Sequence, residues 1–258
     1  MKSNNRNIRS AHAHSRRAGR GAFTLIELLL VVAILMVLAM ILVPALGRAI
    51  QLARDAMCVT HLRSIGQAWQ FYLNDSNDFF PLWQNNLQWF YGGKHPSIAN
   101  ETHSAPAMEY RPLNPYVTLA LRETGRADLF KCASDRDIRD PAGQEAITQG
   151  HTTYDYFGNS YPMNWLLLMR VTPRTGIVAY GKPYSRKQVE VQPSKLVLAG
   201  DCQWYYTVCD AQWDANFHND EEKMGLVFLD GHAAFLHVVR GDAVTADYTF
   251  LPYETSGN

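Results

Sequence analysis

Four residues in the C-terminal third of the chain have side chains that could bind a metal ion. They are Asp201, His218, Asp230 and His232. Carboxylates and imidazoles that converge at strand ends can hold a transition metal. A simpler interpretation is structural: Asp230 and Gly231 form a hairpin turn, Asp201 ends a strand, and the two histidines hydrogen-bond to loop backbone. We favour this second interpretation and predict no bound metal.

The cysteines are a second set of reactive side chains. Four cysteines allow three full disulfide pairings, and the sequence does not choose among them. Two of them flank "QWYYTV" and could close a short loop, whereas buried free thiols are an equal alternative for the set. Disulfides also require that this part of the chain be exported. The four residues are Cys58, Cys132, Cys202 and Cys209.

Known signals of catalysis are absent from the sequence. It contains no Gly-x-Ser-x-Gly, no phosphate-binding loop, no His-Glu-x-x-His and no dinucleotide-binding glycine pattern. The stretch "PLWQNNLQWFYGG" concentrates Trp83, Trp89, Phe90 and Tyr91, which could stack on a sugar or fill a core. We favour the core-filling role and expect a protein that is not an enzyme.

A single carboxylate, Glu27, lies inside the longest apolar run. From Phe23 to Leu46 a helix would be about 36 Å long, enough to cross a hydrocarbon core of about 30 Å. Residues 1–22 hold six bases and no acid. Basic residues before a span predict a cytoplasmic N-terminus and an exported remainder, so we interpret them as membrane-directed rather than nucleic-acid-binding. A secretory signal peptide is the alternative to a membrane span, but its apolar region is usually shorter, about 7–15 residues.

Apolar residues continue at helical spacing beyond the span. The spacing predicts one helix from about residue 23 to 73, with residues 47–74 as its amphipathic part. Pro44 removes a backbone hydrogen bond and should kink this helix. The turn residues of "NDSNDFFP" should end it. The apolar stripe comprises Leu46, Ile50, Ala53 and Met57, then Cys58, Leu62, Ile65, Trp69 and Tyr72.

Residues 75–258 should form an exported globular part. The runs "SKLVLAGD", "GLVFLD" and "AAFLHVV" are typical of strands. Asp230-Gly231 between the last two predicts a hairpin with a type I′ turn, in which both central φ angles are positive. We therefore predict an α+β fold, in which the amphipathic half of the helix packs on an antiparallel sheet.

The N-terminal residues resemble those of type IV pilins and of the pseudopilins of type II secretion systems. "AFTLIELLLVVAILMVLAMILVPAL" has a basic leader, a small residue at Ala22, and Phe23-Thr24-Leu25 after it. Glu27 is then the fifth residue after the implied cut. The resemblance implies that a prepilin peptidase cleaves between Ala22 and Phe23 and methylates the new amine. It also implies that Glu27 meets the methylated N-terminal amine of a neighbouring subunit.

Later blocks resemble a large bacterial group of such proteins. They are "CVTHLRSIGQAWQFYLNDSNDFFP", "FKCASD", "PSKLVLAGD" and "FHNDEEKMGLVFLDGHAAFLHV". Ala133 stands in "FKCASD" where that group has proline, and eleven residues separate His218 from Asp230 where it has nine. Major pseudopilins bind calcium in this region, but a hard cation prefers oxygen ligands. Two histidines fit Ca²⁺ poorly, so we expect no cofactor.

The resemblance implies a structural subunit of a type IV pilus or secretion pseudopilus. Its partners would be the prepilin peptidase, other pilin-like subunits, the assembly platform and inner-membrane lipid. Before assembly it would be a single-pass inner-membrane protein with a cytoplasmic N-terminus. The alternative is a membrane-anchored extracytoplasmic module that binds polysaccharide or mediates surface adhesion.

Overall fold

A computed structural model of the chain describes residues 24–82, 91–94, 111–117, 128–136, 138, 151–168, 170–171, 178–179, 183–208, 217–218 and 223–254. The chain divides into two compact units, Met1–Arg48 and Ala49–Asn258. We call the second the head unit. The helices are α1 (Leu25–Asp75), α2 (Thr153–Phe157) and α3 (Gln203–Val208), and the strands are β1 (Arg170–Val171), β2 (Val178–Ala179), β3 (Val197–Gly200), β4 (Lys223–Phe228) and β5 (Ala233–His237).

The predicted long helix is confirmed by α1, which continues through Pro44. Its N-terminal half is long and apolar enough to span a membrane, and none of the residues in its most apolar stretch is buried. The helix ends at Asp75 and leads into Asn77 and Asp78, whose φ angles of 54° and 68° are left-handed. Asparagine and aspartate tolerate this conformation better than other non-glycine residues, which explains why the predicted turn residues end the helix.

The buried face of α1 begins later than the apolar stripe predicts. Ile50 and Met57 are 45% and 51% exposed, whereas Cys58, Leu62 and Trp69 are completely buried. From Cys58 onward the predicted spacing is therefore correct. The buried residues of α1 are Cys58, Leu62, Ile65, Gly66, Ala68, Trp69 and Leu73.

The predicted strands form a three-stranded antiparallel sheet in the order β3-β4-β5, which confirms the α+β fold. Val197 pairs with Phe228, and Leu226 pairs with Ala234. The strands β1 and β2 form a separate two-stranded antiparallel pair. All three strands of the larger sheet follow the runs chosen from the sequence, because β-branched and aromatic residues are concentrated there.

The central strand β4 is buried on both faces. Val227 belongs to the core that contains α1, whereas Met224, Leu226 and Phe228 belong to a second core with Phe250. This alternation follows from the two-residue period of side chains along a strand. Phe250 stacks on Trp204 with ring centroids 4.6 Å apart. The C-terminal segment therefore covers the sheet face that α1 leaves free, a layer that the sequence did not predict.

The hairpin between β4 and β5 is confirmed, but its turn is not of type I′. Within this turn, Gly231 has a positive φ of 90°, whereas the φ of Asp230 is not positive. The Phe228 amide donates to the His232 carbonyl, and the Gly231 amide donates to the Phe228 carbonyl. This is the three-residue loop in which a type I turn is followed by one left-handed glycine.

Gly66 allows α1 to approach the sheet closely. A Cβ atom at this position would lie 2.7 Å from Val227 Cγ2 and 3.1 Å from the Gly231 carbonyl oxygen. We expect Gly66→Ala to lower the free energy of unfolding by about 1–3 kcal/mol, the usual cost of overpacking. Thermal unfolding of the full chain in detergent, followed by near-ultraviolet circular dichroism, measures this change.

Gly47→Ala provides the matched control on the same helix. A Cβ at Gly47 would meet nothing within 4 Å, and alanine is the better helix former by about 1 kcal/mol. This variant should lose no stability. Equal melting temperatures for the two variants would contradict the close-packing role of Gly66.

Candidate functional site

The first turn of α1 is closed by reciprocal hydrogen bonds between Thr24 and Glu27. The Thr24 amide and hydroxyl donate to Glu27 Oε2 at 2.9 and 2.8 Å, and the Glu27 amide donates to Thr24 Oγ1 at 3.3 Å. This arrangement is a capping box, which satisfies amides that have no partner within a helix. The Thr-x-x-Glu spacing in the sequence carries this signal, and we did not predict it. Ala22 and Phe23 lie outside the described residues.

A second group of functional side chains is buried in the head unit. Its ligand atoms all lie within 4.8 Å of one another and could hold a metal ion. All four side chains are buried. We call this group the Cys–His–Asp cluster; its members are Cys58, Cys132, Asp201 and His218.

Four separate segments bring the cluster together. Cys58 comes from the buried face of α1, and Asp201 directly follows β3. Cys132 follows a short 3-10 helix at Asp128–Phe130. Cys58 Sγ and Cys132 Sγ are 2.9 Å apart although they lie 74 positions apart in sequence. The cluster is therefore formed by long-range packing of α1 against the loops and not by a local sequence motif.

His218 lies between two carboxylates. Its Nδ1 is 2.8 Å from Asp55 Oδ1, and its Nε2 is 3.1 Å from Asp201 Oδ2. The same Nε2 is 3.5 Å from Cys132 Sγ. Burial alone would lower the pKa of His218, but the charge of Asp201 and the hydrogen bond to it raise that pKa to about 11. Without a metal, the ring is therefore an imidazolium at neutral pH.

The two sulfur atoms differ in their acidity. A hydrogen bond from the Cys132 thiol lowers the pKa of Cys58 to about 5, against the opposing effect of burial. Burial raises the pKa of Cys132, and its contact with Cys58 adds to that effect. Thiolate and neutral imidazole are the forms that bind metals, and one of the sulfurs is already stabilised as a thiolate.

The structure brings together only two of the four metal candidates predicted from sequence. Asp230 and His232 lie at the β4–β5 turn, where Asp230 Oδ1 is 2.6 Å from His232 Nδ1, and both are exposed. The turn and strand-end roles predicted for Asp230 and Asp201 agree with the structure. Both histidines differ from our expectation, because carboxylates rather than backbone carbonyls contact the ring nitrogens of His218 and His232.

The cysteine alternatives are partly resolved. Cys58, Cys132 and Cys202 are buried free thiols. Cys209 lies outside the described residues, so the Cys202–Cys209 loop stays a prediction. Neither the contact of Asp55 with His218 nor the proximity of Cys58 to Cys132 was predicted from the sequence.

Of the four aromatic residues in "PLWQNNLQWFYGG", the structure describes Tyr91. This side chain is fully buried and donates to the Tyr161 carbonyl oxygen at 2.8 Å. Its ring centroid lies 5.4 Å from that of Trp69. Tyr91 therefore has the core-filling role that we favoured. Trp83, Trp89 and Phe90 lie outside the described residues.

Comparisons of this chain with protein-family models, with curated proteins and with solved structures give no match.

Proposed function

We propose that this chain is a prepilin-like structural subunit. A prepilin peptidase cleaves it between Ala22 and Phe23 and methylates the new amine. The processed chain then assembles through α1 into a type IV pilus or a type II secretion pseudopilus. The pilin-like residues from Ala22 to Pro44 are the main sequence support for this proposal.

The observation that carries the proposal is the unpartnered apolar half of α1. Leu25, Leu35 and Leu42 are 81%, 58% and 68% exposed. An apolar surface of this extent needs lipid or neighbouring subunits to cover it. A membrane covers it before assembly, and the equivalent helices of other subunits cover it afterwards. The basic leader supports a cytoplasmic N-terminus before processing.

Glu27 supports assembly rather than simple anchoring. A carboxylate in a membrane span is costly, and Thr24, an uncharged N-cap, accepts a hydrogen bond from the Glu27 amide whether or not residue 27 carries a charge. The charge becomes useful once cleavage creates an amine at Phe23 of a neighbouring subunit. In an apolar surrounding, that ion pair is stronger than in water.

The alternative of a membrane-anchored binding module has no comparable support. It rests on the aromatic stretch, and Tyr91, the one described member, is buried in the core. We therefore do not propose a glycan-binding role.

The mass of the full-length chain tests the proposal. Co-expressed with a prepilin peptidase and extracted from membranes, the chain should begin at Phe23 and carry one added methyl group. Ala22→Gly, which introduces the residue usual in the family, should be cleaved at the same bond at least as completely. A chain that retains its leader, or one cut after the apolar run, would contradict the proposal.

A further inference from the structure

The Cys–His–Asp cluster combines the ligand types that zinc prefers. Zn²⁺ is held by thiolate, imidazole and carboxylate, and four protein ligands are typical of a structural site. Around a tetrahedral zinc ion, neighbouring ligand atoms are about 3.3–3.8 Å apart. His218 Nε2 is already 3.5 Å from Cys132 Sγ and 3.1 Å from Asp201 Oδ2. The two sulfurs, 2.9 Å apart, need to separate by less than about 1 Å.

The surroundings of His218 match those of a metal ligand. Metal-bound histidines generally donate their second ring nitrogen to a carboxylate, which fixes the tautomer and the orientation of the ring. Asp55 Oδ1 lies 2.8 Å from Nδ1, so Nε2 is the nitrogen that faces the sulfurs. Gln51 Nε2 in turn donates to Asp55 Oδ1 at 2.9 Å. α1 therefore contributes one ligand and the carboxylate that orients another.

The other ligands are also oriented by hydrogen bonds. The Ser134 amide donates to Cys132 Sγ at 3.4 Å, and the Gly225 amide donates to Asp201 Oδ2 at 2.6 Å. Asp201 Oδ1 is buried and has no hydrogen-bond partner among the described residues. A buried carboxylate oxygen without a partner is costly. A cation bound to this carboxylate would offset that cost.

We propose that Cys58, Cys132, Asp201 and His218 bind one zinc ion that fastens α1 to the loops of the head unit. Both cysteines bind as thiolates and His218 binds as the neutral imidazole, so the Cys132 thiol proton and the proton on His218 Nε2 are released to water as the bonds to the metal form. The ion joins four segments that are distant in sequence, so its binding free energy adds directly to the stability of the head unit. A disulfide between the cysteines would involve only two of the four groups. The site is independent of filament assembly and does not rest on the proposed function.

The metal content of the purified full chain tests this proposal. The chain is kept unassembled in detergent, without chelators, and its zinc is measured by elemental mass spectrometry. We expect about one zinc per chain, released together with reactive thiols on denaturation. Cobalt in place of zinc should produce sulfur-to-metal charge-transfer absorption. The proposal would be overturned if the chain, purified without metal and then reduced, failed to bind added zinc. A disulfide between Cys58 and Cys132 in the purified chain would also overturn it.

Matched variants locate the ion. Cys58→Ser should lose the zinc, whereas His232→Gln should keep it, because His232 pairs with Asp230 outside the cluster. Asp55→Asn removes no ligand and should weaken zinc binding about 10–100-fold, the usual effect of losing such a partner. Competition with a chromophoric chelator measures that change even if Cys58→Ser fails to fold. Zinc bound with unchanged affinity in both Cys58→Ser and Asp55→Asn would place the ion elsewhere and overturn the proposal.

Discussion

Replacing Trp69 with alanine should lower the free energy of unfolding of the head unit by about 3–5 kcal/mol, as for other large aromatic residues removed from a core. Trp69 is completely buried on the inner face of α1. Its ring lies 5.5 Å from Tyr72, 5.8 Å from Phe80 and 5.4 Å from Tyr91 between centroids. These rings come from the helix, the turn after it and a separate loop. The cavity would therefore weaken the contact between α1 and the rest of the head unit.

Phe71→Ala is the control for that experiment. Phe71 lies two residues further along the same helix, but its side chain is 59% exposed. Exposed substitutions usually change stability by less than about 0.5 kcal/mol. Urea unfolding of the full chain in detergent, followed by circular dichroism, compares the two variants. Similar losses would show that the aromatic group around Trp69 is not central to the core.

Glu27→Gln should abolish incorporation into filaments while leaving membrane insertion and cleavage intact. Glutamine can still accept the hydrogen bonds of the capping box, so this change removes the charge and keeps the cap. If the carboxylate pairs with the amine of a neighbouring subunit, its loss leaves a buried charge unpaired, at a cost of about 3–5 kcal/mol. That corresponds to roughly a 100-fold or greater loss of affinity at each contact. Quantitative mass spectrometry of sheared filaments measures incorporation.

Thr24→Ala separates the cap from the charge. It removes the hydroxyl that bonds Glu27 in the structure and leaves the carboxylate free to pair. A lost cap costs about 1 kcal/mol, so this variant should still assemble. Normal assembly of Glu27→Gln, together with failure of Thr24→Ala, would show that Glu27 acts only as a cap within its own helix.

Elements with a strong local pattern were predicted well. The limits of α1 lie within two residues of those predicted at each end. The agreement is close because the apolar run and the helical stripe extend over many turns. β4 and β5 were predicted from short runs rich in β-branched and aromatic residues, and the position of their hairpin from Asp230-Gly231. The type of turn was predicted wrongly, because a glycine after aspartate is compatible with both a type I′ turn and a three-residue loop.

Contacts between distant segments were predicted less well. The apolar stripe predicted that Ile50 and Met57 belong to the packed face of α1, but both side chains are exposed. Periodicity shows that one side of a helix is apolar, but it does not show where along the helix a partner begins. The covering of the second sheet face by Phe250 was missed for a related reason. The C-terminal segment contributes single aromatic residues without a repeating period.

The sequence by itself determined the apolar run, the single long helix and the strand positions. Each depends on residues that are close together in the chain, and local backbone preferences and side-chain periodicity act over that range. Only the tertiary structure decided that Cys58, Cys132, Asp201 and His218 share one buried site. Asp55 and His218 are in contact although they lie 163 positions apart in sequence. Such a contact follows from how α1 packs on the sheet and loops, and no spacing within the sequence records that packing.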